Sequence, residues 1–440
     1  MRWLPTVPEH WNEQRAKTFF REVDERSRTG QEELLSVSHL TGVTPRSQKN
    51  VTMFKAASYV GSKLCRPGDI VINTLWAWMA ALGASRHVGI VSPAYGVYRP
   101  HRADSFNPAY LDYLLRTRAY VAEYIGRSTG IQSSRLRLYP NQFLDITLIQ
   151  PPRPEQDQIV AYLHAQDVHI ARFIKAKRDL IKLLTEQKLR IIDQAVTRGL
   201  DAAVTLKPSG IEWLGEVPEH WQVVHIGSAV QIVNGYPFDS GFFDATIGHP
   251  LVRIRDLNRT HTEVHFNGPE VREAVINTGD LIVGMDGDFN AARWRGGRAL
   301  LNQRMCCLRP RKQITTEYLA LVITKALKFV NDLTLSTTVK HLSSGDVKRL
   351  RFPVPGKIEQ MQIVGHVEAE TAPVDDAIAR TEEEIKLIRE YRDRLIADAV
   401  TGQVDVRDWQ PGPEDMADDT ALAALGDGQG NVTDAEDGDG

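Results

Sequence analysis

The chain carries three sequence blocks that occur twice in the same order. The nine residues 3–11, WLPTVPEHW, return as residues 213–221, WLGEVPEHW, with seven letters in common. Two shorter blocks follow in each half: PEQDQIV at 154–160 against IEQMQIV at 358–364, and AVT at 195–197 against AVT at 399–401. Because a long-period repeat determines the architecture before any local pattern does, the sequence predicts two related halves.

Between these blocks the two halves diverge. A weak parallel remains in GDIVI at 68–72 against GDLIV at 279–283, and in Arg-Pro at 99–100 against 309–310. We infer that the shared segments make equivalent contacts in both halves, while the variable segments recognise different things. An old duplication that has drifted in sequence is the alternative.

Two long helices are predicted, one in each half. Residues 158–198 contain no Pro or Gly, and their apolar residues recur at intervals of three and four, as a helical seam requires. The counterpart after Ile363 is interrupted by Gly365 and Pro373, so the second helix is expected to begin or kink at Pro373. The first helix is basic and the second acidic, which favours an antiparallel coiled coil about 60 Å long. Charge runs of this kind are also common on solvated helix faces.

The variable segments contain short Val, Ile, Leu and Phe runs bounded by Gly, Pro and Asn, with helical stretches at 107–118 and 316–330. They predict an α/β (α+β) fold in which two variable domains are separated by two long antiparallel helices, as a pseudo-twofold repeat. The predicted segments are a first domain with its repeat block at 1–153, a central helix at 154–204, a second domain at 205–356, a distal helix at 357–405 and an acidic disordered tail at 406–440.

Composition restricts the function further. The three cysteines, Cys65, Cys306 and Cys307, suit neither a disulfide framework nor a zinc site, so they are expected to be buried apolar residues. The chain shows no leader-like start and no apolar run of membrane-spanning length, which predicts a cytoplasmic protein without a membrane partner. The net charge of -3 conceals an acidic tail with no Lys or Arg after Arg407.

The repeated blocks resemble the type I restriction-modification specificity (S) subunit family, in which a W-L-G-x-[VI]-P-x-H-W block, a target-recognition domain and a P-x-x-E-Q-x-x-I block opening a long helix all occur twice. The first block departs from this pattern with Pro5-Thr6 where the second keeps Gly215-Glu216. The resemblance implies a bipartite double-stranded DNA target, with one half bound by each domain. It also implies that two copies of a methyltransferase (modification) subunit and a restriction (translocase and nuclease) subunit dock on this chain, which itself needs no cofactor or metal and catalyses nothing.

Two sets of site residues follow. Phosphates require cations and guanine edges favour Arg, so basic and polar residues of the variable domains are predicted to bind DNA. These are Arg46, Lys49, Arg127, Ser128, Thr129, Arg253, Arg255, Arg293, Arg304, Thr337, Lys340 and His341. For any one of these cations a surface ion pair is an equally good interpretation. Residues of the repeated blocks are predicted to dock the partner subunits: Trp11, Glu155, Gln156, Trp221, Glu359 and Gln360.

The sequence gives little support to an enzyme. The nearest string to an amino-methyltransferase loop is NPAY at 107–110, which lacks the second Pro and suits a helix start instead. No phosphate-binding G-x-x-x-x-G-K-[ST] motif occurs, and the calcium-like stretch at 286–290 is followed by Ala291 where the turn needs Gly. Three hypotheses remain: a DNA-specificity subunit, a stand-alone DNA methyltransferase and a coiled-coil scaffold that does not bind DNA.

Overall fold

The chain folds into two units, each of which mixes helices and strands. The computed structural model describes residues 4–39, 41–48, 58–130, 136–333 and 342–415, together with Leu422 and Leu425. One unit comprises Met1–Asp179 with Thr381–Gly440, and the other comprises Leu180–Arg380. The boundary between the units therefore falls inside both long helices.

The first half of the chain contains ten strands and five α-helices among its described residues. The strands are β1 (Asn12–Arg15), β2 (Phe20–Glu22), β3 (Leu35–Ser38), β4 (Gly42–Pro45), β5 (Lys63–Cys65), β6 (Ile70–Ile72), β7 (Leu82–Ala84), β8 (Gly89–Val91), β9 (Gly96–Pro100) and β10 (Thr147–Gln150). The helices are α1 (Ala16–Phe19), α2 (Pro108–Leu115), α3 (Arg118–Arg127), α4 (Pro140–Leu144) and α5 (Arg153–Arg198).

The second half adds thirteen strands and four α-helices within the described ranges. The strands are β11 (Leu206–Pro208), β12 (Glu216–Pro218), β13 (Gln222–His225), β14 (Val230–Asn234), β15 (Phe243–Asp244), β16 (His249–Val252), β17 (His265–Phe266), β18 (Val275–Ile276), β19 (Leu281–Gly284), β20 (Asn290–Arg293), β21 (Ala299–Leu301), β22 (Met305–Pro310) and β23 (Arg351–Val354). The helices are α6 (Ile226–Ala229), α7 (Thr316–Leu333), α8 (Ser344–Arg349) and α9 (Lys357–Val400).

The sheet order repeats in the two units. Antiparallel sheets of order β2-β9-β6-β7 and β14-β22-β19-β20 occupy corresponding places in the two halves, as do the pairs β1-β10 and β13-β23. Their registers also correspond, because Phe20 lies opposite Pro100 and Val230 lies opposite Pro310. The second unit adds a five-stranded sheet of order β15-β17-β16-β21-β18, in which β16 and β21 run parallel. The predicted mixed fold and internal repeat are confirmed.

The weak sequence parallel between the variable segments has a structural cause. Arg99 donates to the carboxylate of Asp69, which is buried, with Nη2 2.9 Å from Oδ2. Arg309 and Asp280 form the same ion pair in the second unit, at 2.7 Å. Each pair joins the turn before a central strand to the strand beside it, so the shared Gly-Asp and Arg-Pro motifs stabilise equivalent sheets.

The two long helices pack antiparallel, as predicted. In one unit α5 and α9 are joined by Lys177 and Glu384, with Nζ 2.5 Å from Oε2, and by a two-pronged ion pair between Asp167 and Arg392. In the other unit Lys188 of α5 pairs with Asp375 of α9 at 2.6 Å. Of the two outcomes expected at Pro373, a start of the second helix is excluded, because α9 begins at Lys357 and includes this proline. The proline removes one N–H from the helix, and the rest of this 44-residue ladder tolerates the loss.

The NPAY string begins a helix rather than a catalytic loop. The side chain of Asn107 accepts hydrogen bonds from the backbone N–H groups of Ala109 and Tyr110, and Pro108 occupies the first position of α2. Asn is a favoured N-cap because its oxygen satisfies N–H groups that have no partner inside the helix. This confirms the capping interpretation of the sequence.

Each long helix ends at a left-handed glycine that packs against a block tryptophan. Gly199 follows α5 with φ +73°, and a Cβ there would lie 3.2 Å from the ring of Trp221. Gly402 follows α9 with φ +74°, and a Cβ there would lie 2.4 Å from Pro8 and 3.0 Å from Trp11. The repeated blocks therefore cap the ends of the long helices.

Replacing Gly402 by alanine is expected to lower the free energy of unfolding by about 2 kcal/mol or more, since a left-handed residue with a Cβ is strained and this Cβ also overlaps Pro8. Urea unfolding measures the change. The control is Gly365→Ala in α9, where the added Cβ meets open space. That control is expected to gain about 0.5–1 kcal/mol, because alanine is the better helix former. Equal losses in both variants would contradict the account of the helix end.

Part of the predicted disordered tail is ordered. Val406 is buried in the core of its unit, and Trp409 packs edge-on against Tyr162 of α5 with ring centroids 5.5 Å apart. The tail was placed from residue 406 because of its acidic composition, but these apolar side chains hold residues 406–415 against the helix. In the described part of the chain, no helix is long and apolar enough to cross a membrane.

The three cysteines are free and buried, which confirms the sequence interpretation. Burial raises the pKa of each thiol to about 12. At pH 8 a thiol reagent is therefore expected to label none of Cys65, Cys306 and Cys307 in the native chain, and all three after unfolding, because the reactive thiolate is almost absent below the pKa. Rapid labelling of one native thiol would contradict this burial.

Candidate nucleic-acid interface

Three arginines of the second unit converge on one carboxylate. They lie in the loop between β16 and β17, where Glu263 contacts Arg253 at 3.1 Å and Arg255 at 3.9 Å. Arg259 donates to the other oxygen of the same carboxylate. The loop therefore presents a compact group of guanidinium planes, which we call the arginine cluster (Arg253, Arg255, Arg259 and Glu263).

A buried aspartate holds the base of this cluster. Asp256 is fully buried, and its Oδ2 accepts from the backbone N–H of Arg253 at 3.0 Å, which closes a short helical turn. The Arg253 side chain is only 20% exposed, whereas the Arg255 side chain is 67% exposed. Arg253 is therefore mainly a structural member of the cluster, while Arg255 faces solvent.

The charges of the cluster favour an anionic ligand. Hydrogen bonding from Arg259, with the charges of Arg253 and Arg255, holds the pKa of Glu263 below its usual value, so this carboxylate stays ionised. The three guanidinium groups outnumber the two carboxylates, Glu263 and Asp256. Guanidinium forks bind phosphate oxygens and the O6 and N7 atoms of guanine in the same two-pronged geometry. A loop that holds these planes in position suits contact with DNA.

The other two described arginines predicted in this unit lie apart from the cluster. Arg293, on β20, pairs with Glu317 at 3.1 Å. Arg304 follows β21 with a left-handed φ of +66°, lies 3.6 Å from Asp286 and is 53% exposed. Thr337, Lys340 and His341 lie outside the described residues.

The first unit places its predicted residues on two separate elements. Arg46 begins a short 3₁₀ turn after β4, and Lys49 lies outside the described residues. Arg127 ends α3, where it pairs with Glu123, and the Ser128 hydroxyl donates to a helix carbonyl at 2.7 Å. Thr129 exchanges two backbone hydrogen bonds with Arg137, each 3.0 Å, so these residues close the base of a loop.

Two residues predicted to dock partners, Gln156 and Gln360, are fully buried. The Gln360 side chain donates to the carbonyls of Gln313 and Pro355 and accepts from the N–H of Thr315. Gln156 makes the corresponding three bonds in the first unit, to Ser105, Pro151 and Asn107. Gln156 joins the start of α5 to the loop before α2, and Gln360 joins the start of α9 to the loop before α7. They offer no surface to a partner in this structure.

The remaining predicted docking residues lie around the same helix starts. Trp11 and Trp221 are buried. Glu155 is bonded to His10 at 2.8 Å, and Glu359 to His220 at 2.9 Å and also to the indole N–H of Trp221. Docking of partner subunits by these blocks stays a prediction. The exposed residues of the blocks, such as His10 and His220, are the ones that a partner would contact.

The role of Glu263 was not predicted from the sequence. Its signal was the spacing R-x-R-x-x-x-R-x-x-x-E over residues 253–263, in which one acidic residue follows three arginines. Residue type alone named Arg253 and Arg255 as candidates, but it did not show that a single carboxylate holds them together.

Comparison with known proteins matches the second unit to a protein family. Residues 218–387, which include the cluster, match the family model described as the type I restriction modification DNA specificity domain. The chain is 34% identical over 200 residues to the EcoBI type I restriction enzyme specificity subunit of Escherichia coli, a match that covers 45% of this chain and 42% of that relative. The chain is therefore similar to type I specificity subunits, and the match spans less than half the length of the EcoBI relative.

Two further matches extend over more of this chain. The putative type I restriction enzyme MjaX specificity subunit of Methanocaldococcus jannaschii is 23% identical over 320 residues, covering 70% of this chain and 71% of that one. A chain from a solved structure concerning complex assembly and conformational transition of the type I R-M system aligns with a TM-score of 0.58 and 16% identity. That alignment covers 91% of this chain and all of the other, and it shows a shared fold.

Proposed function

We propose that this chain recognises a DNA sequence for a type I restriction-modification complex. The observation that carries the proposal is the arginine cluster, which holds solvent-facing guanidinium groups on a loop of the domain that matches the DNA specificity family. Phosphate contacts would supply affinity and base-edge contacts would supply specificity. A cytoplasmic location is part of the proposal.

The target is proposed to be bipartite double-stranded DNA. The two units share a sheet order and helix ends, but their basic groups differ. The second unit carries the arginine cluster, whereas the candidates in the first unit are Arg46 and the Arg127–Thr129 turn. Equivalent scaffolds with different surfaces suit two half-sites of different sequence. Each unit would bind one half, with the long helices fixing the number of base pairs between them.

The chain itself is proposed to be non-catalytic. Two copies of a methyltransferase (modification) subunit and a restriction (translocase and nuclease) subunit would dock on the repeated blocks and the long helices. The modification subunit would then bring adenine methylation to the sequence that this chain selects. This division of work is supported by the specificity-subunit relatives and by the helix-capping role of the NPAY string.

Titration of fluorescent duplex DNA with the chain, co-purified with its modification subunit, tests the proposal. Target-containing DNA is expected to bind more tightly than a scrambled duplex, and affinity is expected to fall steeply between about 50 and 200 mM salt, because counterions are released from the phosphates. Equal, weak and salt-independent binding of both duplexes would favour a scaffold that does not bind DNA.

A further inference from the structure

A short turn of the second unit leaves its sheet next to the arginine cluster. Strand β16 runs parallel to β21 with Val252 opposite Leu301, and the N–H of Asn302 donates to the Val252 carbonyl at 3.0 Å. Because parallel strands point the same way, their carboxyl ends lie at the same edge of the sheet. The arginine cluster follows β16 at this edge, and residues 302–304, here called the 302–304 turn, follow β21.

The backbone of the 302–304 turn is held on two sides. On one side the N–H of Gly235 donates to the Met305 carbonyl at 2.9 Å, and a Cβ on Gly235 would overlap the carbonyl of Asn302. On the other side the N–H of Met285 donates to the Arg304 carbonyl at 3.0 Å. The side chains of the turn therefore extend from a backbone that is fixed by its neighbours.

The Gln303 side chain lies on this fixed backbone and is exposed. The side-chain oxygen of Asn302 accepts from the N–H of Gln303 at 2.8 Å, so the asparagine is used inside the turn. The Gln303 amide has no hydrogen-bond partner among the residues that the structure describes. A glutamine amide offers one acceptor and two donor hydrogens, which match N6 and N7 of adenine in the major groove.

Arg304 has an unusual backbone conformation for its residue type. Its φ is +66°, and among the described residues other than glycine only Ala80 shares a left-handed φ. This conformation strains a residue that has a Cβ, and glycine would relieve the strain. Strained residues that persist in a fold occur mostly at sites where the side chain is needed for function. The strain therefore indicates that the guanidinium group of Arg304 has a role outside the fold.

The charge beside Arg304 suits a base edge better than a phosphate. Its Nε lies 3.6 Å from the Asp286 carboxylate, and the two side chains are 53% and 37% exposed. A carboxylate at this distance repels a phosphate but not the neutral O6 and N7 atoms of guanine. The same carboxylate can accept from the N4 amino group of cytosine. The two side chains together match the acceptors and the donor of a G·C pair.

We propose that the 302–304 turn reads two neighbouring base pairs of one DNA half-site, an A·T pair through the Gln303 amide and a G·C pair through Arg304 with Asp286. The arginine cluster binds the DNA beside these base pairs. This inference rests on the proposed function and names the side chains that select the bases. Its consequence is that Gln303 and Arg304 determine the sequence that is bound, while affinity for unrelated DNA does not depend on them.

The full-length chain, co-expressed with its modification subunit, is used for the test. The motif of the native chain is found by mapping adenine methylation, and duplexes with single base-pair changes in that motif are the probes. Arg304→Lys keeps the positive charge but loses the two-pronged fork, so it is expected to lose at least tenfold of its discrimination at one G·C pair. Gln303→Ala is expected to lose as much at the adjacent A·T pair. Both variants are expected to bind a scrambled duplex as the native chain does.

Arg298→Lys is the matched control. Arg298 is 60% exposed, is bonded to Glu270, and precedes β21 at the opposite edge of the sheet. It is expected to change neither the motif nor the discrimination. Unchanged discrimination by Gln303→Ala and Arg304→Lys would overturn the inference and leave the proposed function intact. Equal weakening of all duplexes by Arg304→Lys would assign this residue to a phosphate and also overturn it. Absence of any motif in the native chain would overturn the proposed function itself.

Discussion

Replacing Gln360 by leucine is expected to lower the free energy of unfolding of its unit by about 3–5 kcal/mol. The leucine fills much of the same space, but the Thr315 N–H and the carbonyls of Gln313 and Pro355 lose their partner. A buried polar group without a partner costs about 1–3 kcal/mol, and here three such groups are affected together. Urea unfolding followed by tryptophan fluorescence measures the loss, since Trp221 and Trp294 are buried in this unit.

The chain offers a close control two residues away. Gln362→Leu makes the same chemical change at an exposed position of the same helix and is expected to alter stability by less than about 0.5 kcal/mol. Gln156→Leu is expected to reproduce the large loss in the other unit, because its amide makes the same three kinds of bond. If Gln360→Leu and Gln362→Leu behaved alike, the buried amide would not be what joins the helix start to its domain.

Replacing Arg255 and Arg259 together by alanine is expected to weaken binding of the target DNA by about 100-fold or more. Each two-pronged contact of an arginine with a base is worth about 1–3 kcal/mol, and each lost phosphate contact lowers the salt dependence of binding by about one ion. Both side chains are partly exposed, so stability is expected to change little. Fluorescence anisotropy at several salt concentrations measures affinity and salt dependence together.

Two further variants make this prediction specific. Lys386→Ala removes an exposed cation from the distal helix, far along the chain from the cluster, and is expected to leave target affinity unchanged. Glu263→Gln removes the carboxylate that holds the arginines, so it is expected to strengthen binding of unrelated DNA and to reduce the preference for the target. Unaltered target affinity in the double arginine variant would remove the cluster from the interface.

The architecture followed from features that act along the whole chain. Repeated blocks and apolar seams predicted two mixed domains and paired long helices. Hydrophobic periodicity and duplication extend over many residues, so they do not depend on the conformation of any single loop. The site was harder to predict. Arg253 and Arg255 were named from residue type, whereas the role of Glu263 depends on the path of the twelve-residue loop between β16 and β17, which the sequence does not determine.

The burial of two polar residues was not foreseen. Gln156 and Gln360 were predicted to dock partners because they lie in the repeated blocks, and both are fully buried and bonded to backbone groups. The tail was assigned to disorder from its acidic composition, although Val406 and Trp409 are apolar exceptions that anchor residues 406–415. In both cases a few side chains have specific partners in the fold, which the residue type or the composition of the segment does not predict.

The most direct test is to co-express the chain with its modification subunit and to map adenine methylation across the genome by single-molecule sequencing. We predict a split motif, with two short specified parts separated by an unspecified spacer of fixed length. The Arg255 and Arg259 double variant is expected to lose methylation at this motif. A continuous motif, or no methylation from a purified and stable complex, would contradict the account of a chain that recognises two DNA half-sites.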